Sequence, residues 1–294
     1  MSDVLSQLPS DSVDADMAKA ALLYEALLGR AIDTGAVASL ETRFSAGRMS
    51  AFECAIQLVS SSEFLSRMVR EAVLVHPHFI HAARIRMIRT LLPPAKNILD
   101  LGGANAPLFT MGYEHAFEQM VLVDLPPLDR HDQYKDVVLE KAHPDPRVLI
   151  HYGDMSDLSR YADGSFDLVW SGQSIEHIDP AAAIRACEGA YRVLTPGGYF
   201  CLDTPNRDVT KIHTSDLGGG FVDPDHKHEY YSDELRQMLL SAGFFVEAAA
   251  GICEMPQTRR TNRFHYEDFV LGQPVVDNPD DGYIFYFAAR KPVR

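Results

Sequence analysis

The hydrophobic pattern changes period at Lys96, and no other feature constrains the fold as strongly. Upstream, apolar residues recur at helical spacing. Downstream, short β-rich runs follow one another at Asn97 to Leu101, Met120 to Asp124, Val148 to His151, Phe166 to Ser171, Tyr199 to Asp203, Phe244 to Ala248 and Tyr283 to Ala288. Helical or loop segments separate most of them, which predicts an α/β unit with a mostly parallel sheet covered on both faces. The connection after Phe269 is too short for a crossover helix, so the seventh strand is expected to insert antiparallel.

The upstream part reads as a small all-α module, residues 1–75, before an α/β domain of residues 76–294. Helical spacing covers Met17 to Leu28, Val37 to Phe44, Ala51 to Val59 and a stretch from Ser62 to Leu74. Ser50 and Glu53 stand at the spacing of a capping box. His76-Pro77 is expected to interrupt the pattern before an amphipathic helix from Phe79 to Leu92.

Charge and composition exclude several classes of function. The formal net charge is −14, which argues against general affinity for nucleic acid while leaving room for one nucleotide in a local pocket. No apolar run approaches the roughly 18 residues of a membrane span. The acidic N-terminus does not resemble a secretory signal. Cys54, Cys187, Cys201 and Cys253 are scattered and form no CxxC pair, as expected of reduced thiols in the cytoplasm. Nothing in the sequence decides between a monomer and a homo-oligomer.

The chemistry collects at strand ends. Asp100-Leu101-Gly102-Gly103-Ala104-Asn105-Ala106 closes the first strand with small residues, where backbone can approach a ligand. Asp100 is placed to take a ligand amine, directly or through water. The dinucleotide fingerprint GxGxxG is missing, since its later glycine positions hold Ala104 and Pro107. Asp124 ends the second strand 24 residues on, near the spacing at which an acid meets ribose hydroxyls, and Leu125 follows it. Asp154 follows the third strand, where an acid can accept from an adenine amine and Met155 offers an apolar surface.

In that order, with Asp163 to Ile178 and Val193 to Phe200 behind them, these segments resemble a class I S-adenosylmethionine-dependent methyltransferase across residues 96–290. The resemblance implies a Rossmann-like sheet and S-adenosylmethionine as cofactor. It places Asp100, Gly102, Gly103, Asp124, Leu125, Asp154, Met155 and Ser171 around that cofactor. The family methylates oxygen, nitrogen, carbon and sulfur, so the acceptor is left open.

Gln173-Ser-Ile-Glu176-His177 and Asp223-Pro-Asp-His226-Lys-His228-Glu229-Tyr230 resemble the metal-type branch of that family, which includes small-RNA 3′-terminal 2′-O-methyltransferases and quinol O-methyltransferases. By position the resemblance implies Glu176, His177 and His226 as catalytic residues and as ligands of a divalent ion such as Mg²⁺. The departure is Gln173, a neutral residue where the branch carries a glutamate. A weakly acidic hydroxyl needs its proton removed during methyl transfer, and either a metal or a histidine base can do this.

Tyr24, Gly29, Arg30, Asp33, Gly35 and Ser62-Glu63-Phe64 resemble a bacterial helical domain of unknown function found in proteins of surface-glycan metabolism. That likeness implies a saccharide or related small molecule as acceptor. The alternatives are an RNA 3′-terminal 2′-O-methyltransferase and a noncatalytic S-adenosylmethionine-binding module. Arg259, Arg260 and Arg263 read as a solvated loop with Asn262, His265 and Tyr266, and His213 and His265 read as surface residues.

Overall fold

The structure is a computed structural model that describes residues 13–103, 106–130, 145–215 and 218–293. The chain divides into two compact units, Met1–Val75 and His76–Arg294.

In the first unit, α1 (Val13–Leu28), α2 (Thr34–Ser45), α3 (Ala51–Val59) and α4 (Ser62–Arg70) bury Ala20, Leu40, Phe44, Met49, Cys54 and Leu58. Helix starts are fixed by short polar side chains that accept orphan backbone N–H groups. Asp33 takes Ala36 N at 2.9 Å, and Ser50 and Glu53 form the reciprocal box. The residues of the N-terminal motif converge. Arg30 pairs with Glu63 at 2.5 and 2.8 Å, reaches Asp33 at 3.4 Å and lies over the Tyr24 ring. Arg30 therefore ties the turn after α1 to the start of α4.

The expected interruption at His76-Pro77 is displaced. Helix α4 ends at Arg70, where the capping Glu71 N–H bonds back to the Arg67 and Val69 carbonyls, and α5 (Ala72–Leu91) runs through Pro77. Pro77 sits in the second turn of a twenty-residue helix, where it removes one backbone donor and leaves the later turns intact.

The second unit holds an eight-stranded sheet of order β3-β2-β1-β4-β5-β8-β6-β7. Its strands are β1 (Asn97–Leu101), β2 (Gln119–Asp124), β3 (Val148–Tyr152), β4 (Phe166–Gly172), β5 (Leu194–Pro205), β6 (Phe245–Glu254), β7 (Val275–Val276) and β8 (Gly282–Arg290). The first five pair in parallel, and β8 inserts antiparallel between β5 and β6. The sequence pattern anticipates seven strands. The eighth, β7, is two residues long at the sheet edge, too short for periodicity to register.

Alternation along the strands builds two cores. Ile98, Met120, Leu122, Leu168, Trp170 and Cys201 join one face with Met87 and Ile88 of α5. Leu99, Leu101, Val121, Val123, Val169, Phe200 and Leu202 join the other with α6 (Pro180–Val193) and with Leu235 and Leu239. All four cysteines are buried free thiols. The carboxyl ends of β1 to β5 share one edge, and the loops they feed carry the site.

Candidate functional site

At the ends of β1 to β3, carboxylates organise their own loops. Asp100 is 1% exposed and accepts Leu108 N at 2.8 Å, and burial raises its carboxyl to about 7. Gly103 packs directly over it, because a Cβ there would lie 2.5 Å from the Asp100 carboxyl carbon. Gly102 has φ +75 and would clash with Ser174 if substituted, so both glycines are required by close approach. Ala104 and Asn105 lie outside the described residues.

Asp124 accepts Leu125 N at 2.7 Å and faces Arg130 Nε at 3.5 Å. Arg130, which the sequence did not single out, also donates to Leu125 O at 2.8 Å and is nearly buried. Leu125 is 43% exposed. Asp154 is exposed and accepts Ser156 N at 2.8 Å, with Met155 buried beside it. Ser171 is fully buried, its hydroxyl 2.7 Å from that of Ser174, which donates to Leu101 O. It shapes the packing beneath the β1 turn.

The ends of β4 and β5 bring distant groups together. Ligand atoms of Glu176, His177 and His226 lie within 4.8 Å of one another. Glu176 is fully buried in the turn after β4. Its Oε2 accepts the Thr204 hydroxyl at 2.9 Å, and its Oε1 has no hydrogen-bond partner among the described residues. Burial raises this carboxyl to about 7, with His226 pulling the other way. The Glu176 carbonyl accepts the N–H groups of Lys227 and His228, which fastens the β4 turn to the loop that carries His226.

Both imidazoles are oriented by carboxylates at Nδ1. His177 faces Asp225 at 3.2 Å and His226 faces Glu229 at 2.9 Å, with the two rings edge-on and centroids 4.8 Å apart. Each ring thus keeps Nε2 for another partner. Burial and the neighbouring His226 lower His177. For His226 burial opposes charge, but the bond to Glu229 and the nearby Glu176 outweigh it and raise the ring. Glu229 is a hub: it also accepts Val222 N at 2.7 Å, Arg207 Nη1 at 3.1 Å and the Thr210 hydroxyl, the last two from α7 (Arg207–Ser215). Despite burial, the bonds from His226, Thr210 and Val222 lower its carboxyl.

Three sequence expectations are corrected. His213 is half-buried and not a surface residue. It stacks on Phe264 at 3.8 Å, and its two nitrogens lie 2.8 Å from the hydroxyls of Tyr283 and Tyr266. Arg259 and Arg260 lie in helix α9 (Pro256–Thr261), numbered after α8 (Ser232–Ser241), and not in a loop. Asn262 closes that helix in the left-handed conformation. Tyr266 belongs to the aromatic cluster around His213, which recruits residues far apart in sequence.

Residues 99–202 match the profile of the methyltransferase domain family. A protein of Mycolicibacterium smegmatis described as an S-adenosylmethionine-dependent methyltransferase is 39% identical over 108 residues, which is 36% of this chain and 39% of that protein. The match therefore spans well under half of that relative. The ubiquinone biosynthesis O-methyltransferase of Xanthomonas axonopodis is 28% identical over 192 residues, covering 62% of this chain and 77% of that enzyme. Among solved structures, an S-adenosylmethionine-dependent methyltransferase of Thermotoga maritima superposes with a TM-score of 0.54 at 19% identity, covering 77% of this chain and 98% of that one. One from Mesorhizobium loti gives 0.51 at 18% identity, covering 72% and 100%. Residues 99–202 are thus similar to the methyltransferase domain family, and they lie in a sheet that shares its fold with these S-adenosylmethionine-dependent methyltransferases.

Proposed function

We propose that this chain is an O-methyltransferase that moves the methyl group of S-adenosylmethionine to a hydroxyl of a saccharide or related small molecule. The observation that carries the reading is the convergence of Glu176, His177 and His226, with one buried carboxylate oxygen lacking a partner among the described residues and both imidazoles held by carboxylates. In the transfer the C–S bond of the sulfonium breaks as the O–C bond forms. S-adenosylhomocysteine leaves, and the hydroxyl proton passes to the protein or to solvent. The cluster supplies the base for that proton, and its neighbours hold it in place.

The same residues fit a divalent ion, since imidazoles oriented through Nδ1 by a carboxylate are the usual second layer of a metal site. One carboxylate with two imidazole nitrogens suits a first-row transition ion such as Mn²⁺ better than Mg²⁺, which prefers oxygen donors. A bound ion would lower the pKa of the acceptor hydroxyl. Glu176, His177 and His226 would hold it, and Asp225 and Glu229 would fix the two rings.

The saccharide reading rests on the N-terminal motif residues, and the similarity to a ubiquinone O-methyltransferase supports a phenolic hydroxyl as the second reading. Radiolabelled S-adenosylmethionine offered with sugars, quinols and short RNAs separates them. Label in sugars supports the proposal, label in quinols the second reading, and label in RNA alone overturns both. EDTA divides the chemistry. If an ion is required, turnover stops and Mn²⁺ restores it with cofactor affinity unchanged. If His177 is a metal-free base, EDTA has no effect while His177→Ala costs about two decades or more. Indifference to EDTA, His177→Ala and His226→Ala together would sink the assignment.

A further inference from the structure

Gln173 has an unusual backbone for a residue with a side chain, with φ +55 at the end of β4. Non-glycine residues in the left-handed region persist only where their surroundings hold them, and such strain collects at functional sites. Here the holder is Asp203, at the neighbouring position of β5. Gln173 N donates to the Asp203 carbonyl at 2.9 Å, and Gln173 Nε2 donates to Asp203 Oδ1 at 3.2 Å. The Asp203 side chain is wholly buried and is clasped by Arg84 of α5 in a two-pronged pair, Nε to Oδ2 at 2.7 Å and Nη2 to Oδ1 at 3.0 Å. Three residues beyond Gln173 stands Glu176.

We propose that Arg84, Asp203 and Gln173 form a positioning device that sets the Glu176-His177 turn, with Gln173 acting as an amide donor to Asp203 and not as a ligand of the cluster. The neutrality of position 173 then has a physical cause. A glutamate there would set two carboxylates within about 3 Å in a buried site, where one guanidinium already serves the first. The amide satisfies Asp203 instead and adds no second negative charge beside Glu176, on which the Asp203 charge already acts unfavourably. Arg84 supports the arrangement as a bidentate fork that a lysine would not reproduce.

The use of this turn in catalysis rests on the methylation reading, but the device itself does not, so its test reads the turn directly. Backbone hydrogen exchange is measured for residues 173–178 in the full chain, with the amides of β1 and β2 as internal reference. Gln173→Glu is expected to speed exchange in the turn by about tenfold or more while the reference amides hold. Adding Asp203→Asn, which exchanges acid and amide at constant net charge, is expected to restore it to within about threefold. A merely bulky or destabilised position would not be rescued by the exchange of acid and amide. Should Gln173→Glu not fold, Gln173→Met keeps the length, removes the donor and is expected to speed exchange about threefold. Unchanged exchange in the single variants, or a double variant no better than Gln173→Glu, would overturn the proposal whether or not the protein transfers methyl groups.

Discussion

The loops after β1 to β3 and the loops after β4 and β5 use carboxylates in opposite ways. In the first set each acid binds backbone close by: Asp100 takes Leu108 N, Asp124 takes Leu125 N and Asp154 takes Ser156 N. In the second set the partners are mostly side chains from distant elements. Glu176 meets Thr204, Asp203 meets Arg84 across 119 positions, Asp225 meets His177 across 48, and Glu229 gathers Arg207 and Thr210. Among the described residues, the acids of the first region are held chiefly by backbone within their own turns. The second exists only once α5, α7 and the 222–229 loop are docked. Local turns suit a ligand common to a whole family, and convergent side chains suit chemistry that varies between members.

The largest effect is expected in the convergent region. Glu176→Ala should lower methyl transfer by about 100-fold or more, the scale of a lost acid–base group, while S-adenosylmethionine binding by calorimetry stays within about threefold. Equal losses in both would show that the two regions are not separable. Next comes the local region. Asp124→Ala should weaken S-adenosylmethionine by roughly 10- to 100-fold, since an unpaired buried hydroxyl costs about 1–3 kcal/mol. An unchanged titration would remove Asp124 from the cofactor site.

A smaller effect tests close packing within the β1 turn, read as stability. Gly103→Ala would force a methyl against the Asp100 carboxylate and should cost about 1–3 kcal/mol in urea unfolding. Gly153→Ala, with no described residue within 4 Å of its added Cβ, should stay within about 0.5 kcal/mol. Equal midpoints for the two variants would mean that the β1 turn yields.

The smallest effect concerns His213, held by Tyr266 and Tyr283 across 53 and 70 positions. Burial, then the neighbouring His76, lowers this ring to about 4. The facing groups are His76, Phe264, Tyr266, Tyr283 and the more distant Glu229. Because the unfolded chain binds the proton more tightly, the contribution is complete above pH 6.5 and is lost as pH falls toward 4. His213→Phe should therefore flatten the fall in stability over that window, as read by urea midpoints at successive pH values. An unchanged slope would place the ring in contact with solvent.

What was legible in the sequence follows the same division. Strand β1 and helix α3 appear with the limits the pattern predicts, because alternation and capping are local signals. Gly102, Gly103, Asp124 and Asp154 could be picked out because each stands at the end of a readable strand. Glu176, His177 and His226 were named only through a motif likeness, and their approach to within 4.8 Å is not contained in spacing. Arg130, Asp203 and Arg84 were missed because none of them carries a local signature. Glu229 sat inside a quoted motif without a role until His226 was seen to lean on it.

By itself, then, the sequence determined the period of each element, the caps, the turn acids and the change of architecture at Lys96. These depend on bonds between residues a few positions apart. The tertiary structure alone decided that helix α5 passes through Pro77, that the His213 ring is held between two tyrosines, and that Asp203 clasps both Arg84 and Gln173. Each of those outcomes depends on desolvation and on partners that reach one another only after the sheet has formed. A buried carboxylate finds its partner through packing in space, and nothing in the local pattern around Asp203 records an arginine 119 residues away.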